Sequence, residues 1–248
     1  MIPASLASLC RLVLHEACPL CGALLELPGG ETFCLSCRNA LPLIRSPLCF
    51  RCGMPFRSPE GEDHICGPCL LDPPPFSTAR SLGRYEGPLH DAIHRFKYRR
   101  IIPLGEALGR LMGNLSIPGT SWTAFDVVFP VPLHEKKLRA RGFNQSAVLA
   151  KALARVAALP LDVFSFRKIR ETRPQTFLNA EERVKNVRGV FEVVNPDAVE
   201  GKVILLVDDV FTTGSTVREG VRELLRRGAA DVAVLTAARA VPRFMGGS

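Results

Sequence analysis

The sequence predicts an α/β protein in which a mostly parallel sheet flanked by helices follows a small cysteine-rich domain. Two observations support this fold class. All nine cysteines precede the proline run at 73–75, and the rest of the chain alternates strand-length apolar runs with longer periodic segments. We therefore expect two domains, formed by residues 1–75 and 76–248 of the 248-residue chain.

The composition is that of a globular protein, with 47% hydrophobic and 23% charged residues, and it excludes disordered and fibrous chains. No apolar run approaches the roughly 18 residues that a membrane-spanning helix requires. The apolar opening segment lacks the basic start of a signal peptide and is expected to form a short amphipathic helix. These features predict a soluble protein with no membrane insertion.

Charge is distributed unevenly along the chain, although the formal net charge is +8. Residues 1–75 hold 5 Lys and Arg against 7 Asp and Glu, whereas the rest of the chain holds 27 against 17. The basic excess therefore belongs to the second domain and favours an anionic partner such as phosphate or nucleic acid.

Eight cysteines form four CxxC pairs, and the order of an opening and a closing pair repeats after 31 or 32 residues. Each CxxC places two thiolates on one tight turn, and two such turns complete the tetrahedral thiolate shell that zinc prefers. The sequence therefore predicts two structural Zn²⁺ sites in a double zinc ribbon. The ligands are Cys18, Cys21, Cys34 and Cys37 in the first site and Cys49, Cys52, Cys66 and Cys69 in the second.

Two alternatives to sequential zinc sites remain open. A disulfide framework would also hold so short a segment together, but the lack of an export signal favours zinc. Cross-braced pairing, first CxxC with third and second with fourth, explains the repeat less simply. Gly22 and Gly53 follow the opening pairs, where a positive φ lets N–H groups turn toward sulfur. Neither ion is expected to be catalytic, since four thiolates leave no open position, and Cys10 has no assigned role.

Periodicity predicts the elements of the second domain in order. The predicted strands cover 79–85, 126–131, 164–169, 190–194, 203–207 and 232–237. The predicted helices cover 88–98, 103–115, 145–158, 180–187 and 215–227. His90 and His94 are expected on an exposed helix face, because no third metal ligand is near them in sequence. Lys97, Arg99 and Arg100 would extend the basic surface.

The most informative segment covers residues 203–216. Five apolar residues predict a central parallel strand, and ligands of such sheets lie beyond the strand ends. Asp208 and Asp209 follow this strand and suit two adjacent sugar hydroxyls. The next loop is small and hydroxyl-rich and leads into a helix N-terminus, which favours a phosphate. Its residues are Thr212, Thr213, Gly214, Ser215 and Thr216. The alternative to a ligand site is a buried strand followed by two surface aspartates and a loop that only caps the helix.

This segment resembles the phosphoribosyl pyrophosphate (PRPP) signature of type I phosphoribosyltransferases. The resemblance implies that the acidic pair holds the ribose 2- and 3-hydroxyls, that the loop holds the 5-phosphate, and that Mg²⁺ bridges the pyrophosphate. A strand end and a basic run upstream suit a pyrophosphate-facing loop, although the run also fits a solvated basic turn. The residues are Val131, Pro132, Lys136, Lys137, Arg139 and Arg141.

The whole chain resembles the ComF family of competence-associated proteins. The motifs that carry the resemblance are CPLCG at 18–22, YEGPL at 85–89, FKY at 96–98, RGFNQ at 141–145, RPQT at 173–176 with Arg183 and Asn186, and the PRPP signature. The family implies a cytoplasmic protein with a double zinc ribbon and a type I phosphoribosyltransferase fold, linked to DNA uptake in natural transformation. It also implies that Arg173 and Gln175 lie in a hood over the acceptor.

Two functions remain open from the sequence. The first is Mg²⁺-dependent transfer of a phosphoribosyl group from PRPP to an unknown acceptor, for which no general base is identified. The second is a non-catalytic module that binds PRPP, single-stranded DNA and other competence proteins. Two filled zinc sites would give residues 1–75 a charge of about −6, which weakens the case that the ribbons bind nucleic acid.

Overall fold

The computed structural model describes residues 17–25, 33–58, 60–115, 121–171 and 188–242. Several predictions lie outside these residues: the N-terminal helix, Cys10, the hood residues Arg173 and Gln175, and the helix at 180–187.

In the described part of the chain, the main sheet contains the strands β1 (Ala79–Arg84), β2 (Val127–Pro130), β5 (Val203–Phe211) and β6 (Asp231–Arg239). These four strands are parallel and lie in the order β1-β6-β5-β2. The predicted parallel sheet is thus confirmed. Two further predicted strands, β3 (Phe166–Lys168) and β4 (Phe191–Val193), pair antiparallel with each other outside this sheet.

Seven α-helices lie in the described part of the chain. They are α1 (Leu35–Ala40), α2 (Gly67–Leu71), α3 (Gly87–Arg99), α4 (Ile102–Gly113), α5 (Glu135–Arg141), α6 (Gln145–Ala157) and α7 (Ser215–Arg226). Among the described residues, every helix is too short or too polar to span a bilayer.

The sheet is covered on both faces, as continuous apolar strands require. Leu205 and Val207 pack with α3, α4 and α6, whereas Ile204 and Leu206 pack with α7 and the β3-β4 pair. Helices α4 and α6 approach closely at Gly109, where a Cβ would lie 2.5 Å from the Leu149 carbonyl oxygen. Among the described residues, the buried side chains form two cores, one on each face of the sheet.

The structure corrects two predicted boundaries. The basic run forms helix α5 instead of a loop, because His134 Nδ1 accepts a hydrogen bond from the Lys136 N–H at 3.3 Å and Gly142 ends the helix with φ 87°. Strand β5 continues four residues beyond Val207, because β6 pairs with it as far as Phe211. The acidic pair therefore lies within the strand and not after it.

The cysteine-rich segment docks on the sheet through its backbone. Leu43 bridges Gly83 of the edge strand β1, and the Arg84 N–H donates to the Pro42 carbonyl at 2.8 Å. Near the other end of this strand, the Ala79 N–H donates to the Arg51 carbonyl at 2.7 Å. These contacts cover an edge that would otherwise expose unpaired backbone groups.

Candidate functional site

The eight cysteines gather into two tetrads with the predicted sequential pairing. Within each tetrad the sulfur atoms all lie within 4.8 Å of one another. The Cys21 and Cys34 sulfurs are 3.6 Å apart, and the Cys52 and Cys66 sulfurs are 3.7 Å apart. A tetrahedron of sulfurs at the zinc–sulfur distance of about 2.3 Å has edges of about 3.8 Å. The thiol geometry thus fits one zinc per tetrad.

Backbone N–H groups prepare these thiols for metal binding. The N–H groups of Cys52 and Cys66 point at the Cys49 sulfur from 3.4 and 3.3 Å. Burial opposes ionisation of Cys49, but these hydrogen bonds bring the pKa of its thiol down to about 7. Gly22 and Gly53 have φ values of 82° and 70°, as the sequence predicts for the two turns.

The acidic pair lies on β5 just beyond the end of the neighbouring strand β2. Strand β2 ends with Pro130 opposite Val207, so one side of β5 is open at Asp208. The Asp208 carboxylate accepts hydrogen bonds from Ser146 Oγ at 2.8 Å and from the Asp209 N–H at 2.9 Å. Although part of its surface is accessible, burial and the neighbouring Asp209 charge raise the pKa of Asp208 to about 7.

Asp209 has a cationic partner that the sequence did not predict. Lys97 Nζ lies 2.8 Å from the Asp209 carboxylate, and only about a sixth of each side chain is exposed, 16% and 15% respectively. Burial disfavours the charged amine, but Asp209 outweighs it and raises the pKa of Lys97. The expectation that Lys97 extends the outer basic surface is therefore wrong. The sequence feature that could have indicated a site role for Lys97 is its position in the FKY motif.

The predicted phosphate loop connects β5 to the N-terminus of α7. Gly214 caps the helix with φ 77°, and Thr213 Oγ1 lies 2.9 Å from Ser215 Oγ. The Phe211 ring packs directly against Gly214, where a Cβ would lie 2.6 Å from it. Only glycine fits this position, and the helix N-terminus adds positive potential for an anion.

The predicted pyrophosphate-facing side chains diverge in the structure. Lys136 lies 3.3 Å from Glu171, and Arg139 lies 2.8 Å from Glu135 on the exposed side of α5. Arg141 instead donates to Gln145 Oε1 at 2.8 Å. Lys137 is partly buried, and burial lowers the pKa of its amine. Val131 is buried and its carbonyl accepts from Asn144 Nδ2, while Pro132 lines a nearby cavity.

This cavity, of about 540 Å³, lies between the β2–α5 connection and the β3-β4 pair. Its lining includes Pro132, Asn144, Phe166, Lys168 and Glu192. Burial, with a smaller contribution from Lys137, lowers the pKa of Lys168 to about 8, and the Asp208 charge acts in the opposite direction. A lysine in such a site can lose its proton near neutral pH. The sequence periodicity did not indicate that Lys168 would line a cavity near the acidic pair.

Two family models match successive parts of the chain. A double zinc ribbon domain matches residues 9–70, and a phosphoribosyl transferase domain matches residues 144–242. Competence protein ComFC of Bacillus subtilis is 30% identical over 224 residues, which is 88% of each chain. The chain belongs to the ComF family. The DNA utilization protein YhgH of Escherichia coli K12 is 36% identical over 221 residues, or 88% of this ComF chain and 94% of that protein.

Solved structures similar to the ComF chain include a glutamine PRPP amidotransferase from B. subtilis complexed with ADP and GMP. It is 26% identical, with a TM-score of 0.38, over 55% of the ComF chain and 26% of that protein. TT1426 from Thermus thermophilus is 17% identical, with a TM-score of 0.33, over 58% of the ComF chain and 86% of that protein.

Proposed function

We propose that this ComF protein is a cytoplasmic phosphoribosyltransferase that binds PRPP with Mg²⁺ and transfers its ribosyl phosphate to an acceptor. The observation that carries the proposal is the juxtaposition of Asp208 and Asp209 with the Gly214-capped loop, at the point where β2 ends. Ligands of open α/β sheets bind at such strand ends.

In this proposal each part of the site has a distinct role. Asp208 and Asp209 accept hydrogen bonds from the ribose hydroxyls, and the Thr212–Thr216 loop binds the 5-phosphate. Bound Mg²⁺ would neutralise pyrophosphate charge. Lys97 orients the Asp209 carboxylate before PRPP arrives. Of the predicted pyrophosphate residues, Lys137 and Arg141 are the better candidates, because both are partly buried, whereas Lys136 and Arg139 are exposed.

The cavity beside Lys168 supports transfer over binding alone. In the reaction, an acceptor nucleophile would bond to C1 as the C1–oxygen bond breaks, and pyrophosphate would leave with the bonding electrons. The acceptor proton would pass to neutral Lys168, whose depressed pKa suits a general base near neutral pH. Arg173 and Gln175 are the proposed hood over the acceptor.

Calorimetric titration with PRPP and Mg²⁺ tests the binding step. We expect the wild-type protein and Asp197→Ala, which changes an exposed acid away from the site, to bind PRPP with similar affinity. Asp209→Ala should abolish binding. Equal PRPP affinity in Asp209→Ala and the wild type would refute the site. The transfer step is tested separately, by measuring pyrophosphate release across a panel of nucleobases and amines.

We further propose that each cysteine tetrad holds one structural Zn²⁺, since four thiolates in tetrahedral spacing leave no position for a substrate. Elemental analysis should give two zinc ions per chain. Fewer than two ions in protein purified without chelator would argue against the assignment.

A second candidate function is contact with single-stranded DNA and other competence proteins. The contact with DNA is supported by a row of neighbouring rings that starts at Tyr85 and continues along α3. Tyr85 lies 4.9 Å from His90, His90 lies 6.0 Å from His94, and His94 lies 4.7 Å from Tyr98. The Arg141 guanidinium lies 5.7 Å from the Tyr98 ring. The exposed His94 and Tyr98 rings, with Arg141 beside Tyr98, suit the bases and phosphates of a single strand.

Oligonucleotide binding at two salt concentrations tests this second function. Tyr98→Ala should weaken binding several-fold, whereas Phe164→Ala, which removes an exposed ring elsewhere, should not. Binding should also fall steeply as salt rises. Salt-independent binding, or no binding to any oligonucleotide, would exclude it.

A further inference from the structure

Two buried arginines lie beside the second cysteine tetrad. Arg80 and Arg239 are only 7% and 4% exposed. Arg80 Nη1 donates to the Phe50 carbonyl at 3.0 Å, and Arg239 Nη1 donates to the Cys52 carbonyl at 2.7 Å. Both carbonyls belong to the turn that carries the first two thiols of this tetrad. Four thiolates around one Zn²⁺ leave a charge of −2, which two guanidinium groups would balance.

Arg239 differs from Arg80 in what lies on its other side. Its guanidinium carbon is 4.3 Å from the centre of the Phe211 ring. That ring packs against Gly214, the cap of α7 and the middle of the predicted 5-phosphate loop. A continuous chain of contacts therefore leads from the Cys52 carbonyl through Arg239 and Phe211 to Gly214. Arg80 donates instead to the Phe50 and Ala79 carbonyls.

The backbone of Arg239 holds this arrangement in place. Its carbonyl accepts the Tyr85 N–H at 2.7 Å, and the following Ala240 N–H donates to the Phe211 carbonyl at 2.9 Å. The end of β6 is thus tied to the ends of both neighbouring strands. These backbone hydrogen bonds hold the Phe211 ring and the Arg239 guanidinium in contact. Such a contact is more favourable in a desolvated site than at the surface.

We propose that Arg239 is a positioning residue that couples the second cysteine tetrad to the 5-phosphate loop. The tetrad charge and the Cys52 carbonyl hold the guanidinium, the guanidinium supports the Phe211 ring, and the ring fixes Gly214. Arg239 does not touch the ligand in this scheme. Its effect on PRPP affinity rests on the proposed function, but its effect on the loop does not.

Arg80 provides the matched control. If both arginines only fastened the ribbon to the sheet, their removal would have equal effects on the loop. If Arg239 positions the loop, Arg239→Met should raise amide hydrogen exchange of the 211–216 segment about tenfold in ligand-free protein. Arg80→Met should leave that exchange within about twofold of wild type. PRPP affinity should fall about tenfold in Arg239→Met only.

Two more variants separate charge from stacking, with zinc content measured in every protein. Arg239→Lys keeps the positive charge but loses the flat guanidinium, so loop exchange should lie between wild type and Arg239→Met. Phe211→Leu leaves the Arg239 contact to Cys52 intact and should reproduce the faster loop exchange with two zinc ions bound. This second variant decides the question if Arg239→Met loses zinc.

Equal loop exchange in the Arg239→Met and Arg80→Met proteins would overturn the inference, as would unchanged exchange in Phe211→Leu. Absence of PRPP binding by the wild-type protein would refute the proposed function instead, and the loop exchange would still decide whether Arg239 positions the loop.

Discussion

The cysteine tetrads and the acidic pair are both clusters of ionisable side chains, but the fold balances their charges differently. In each tetrad, backbone N–H groups donate to sulfur atoms that lie close enough together to share a metal ion. At the acidic pair, Lys97 balances Asp209, while Ser146 and burial surround Asp208. The difference suggests that a filled tetrad serves the fold, whereas the acidic pair lies open to a ligand.

The largest expected effect comes from breaking a tetrad. Cys49→Ser removes a fully buried ligand, so we expect loss of one zinc ion and a decrease of several kcal/mol in the free energy of unfolding. Cys21→Ser, at an exposed ligand of the first tetrad, should also lose one zinc ion but destabilise the chain less. Elemental analysis and denaturant unfolding check both variants. Equal destabilisation would show that the two tetrads are equivalent.

Changing the acidic pair should separate stability from ligand binding. Asp209→Asn removes the ion-pair partner of Lys97, so PRPP affinity should fall about a hundredfold and stability should fall by about 2 kcal/mol. The double variant Lys97→Met/Asp209→Asn removes both charges and should recover most of the stability but not the affinity. Recovery of PRPP binding in the double variant would contradict the assigned role of Asp209.

Removing the proposed general base should affect turnover alone. Lys168→Met should lower pyrophosphate release about a hundredfold and change PRPP affinity by less than about threefold. Lys136→Met is the control, because Lys136 lies on α5 paired with Glu171. In the wild type, the rate should rise with pH through about 8, the pKa of Lys168. Equal rates for the two variants would remove Lys168 from the reaction.

As the pH rises, ionisation of Asp208 should have opposite effects on the stability of the protein and on its affinity for PRPP. The folded pKa of Asp208, about 7, lies above the unfolded value of about 3.9, so its contribution to stability is complete below about 3.9 and is lost as pH rises through 7. PRPP affinity should instead rise about tenfold over the same neutral range, because the ionised carboxylate accepts the hydroxyl hydrogen bonds. Both dependences are measured as differences from Asp208→Asn, and a constant difference would contradict the shift.

The smallest effect is expected on the outer side of α5. Arg139 is exposed and paired with Glu135, so Arg139→Ala should change stability by less than about 0.5 kcal/mol and PRPP affinity by less than about twofold. Calorimetry checks this directly. A large loss of affinity would restore the sequence-based interpretation of Arg139 as a pyrophosphate ligand.

Sequence reasoning succeeded where the determining contacts are local. The CxxC spacing and the glycines after it are enough to predict the tetrads, and the apolar run before Asp208 predicts a central strand. It failed where distant elements meet. Lys97 reaches Asp209 across more than a hundred residues, and Lys168 lies near Asp208 only through the β3-β4 pair. The α5 helix was mistaken for a loop because its charge pattern outweighed its local capping signals.

The most direct test is a crystal structure of the protein grown with PRPP and Mg²⁺. The ribose hydroxyls should lie within hydrogen-bond distance of Asp208 and Asp209, with the 5-phosphate bound by the backbone of the Thr212–Thr216 loop. PRPP bound elsewhere on the chain, with this loop and the Lys97–Asp209 pair unchanged, would contradict the assignment of this site.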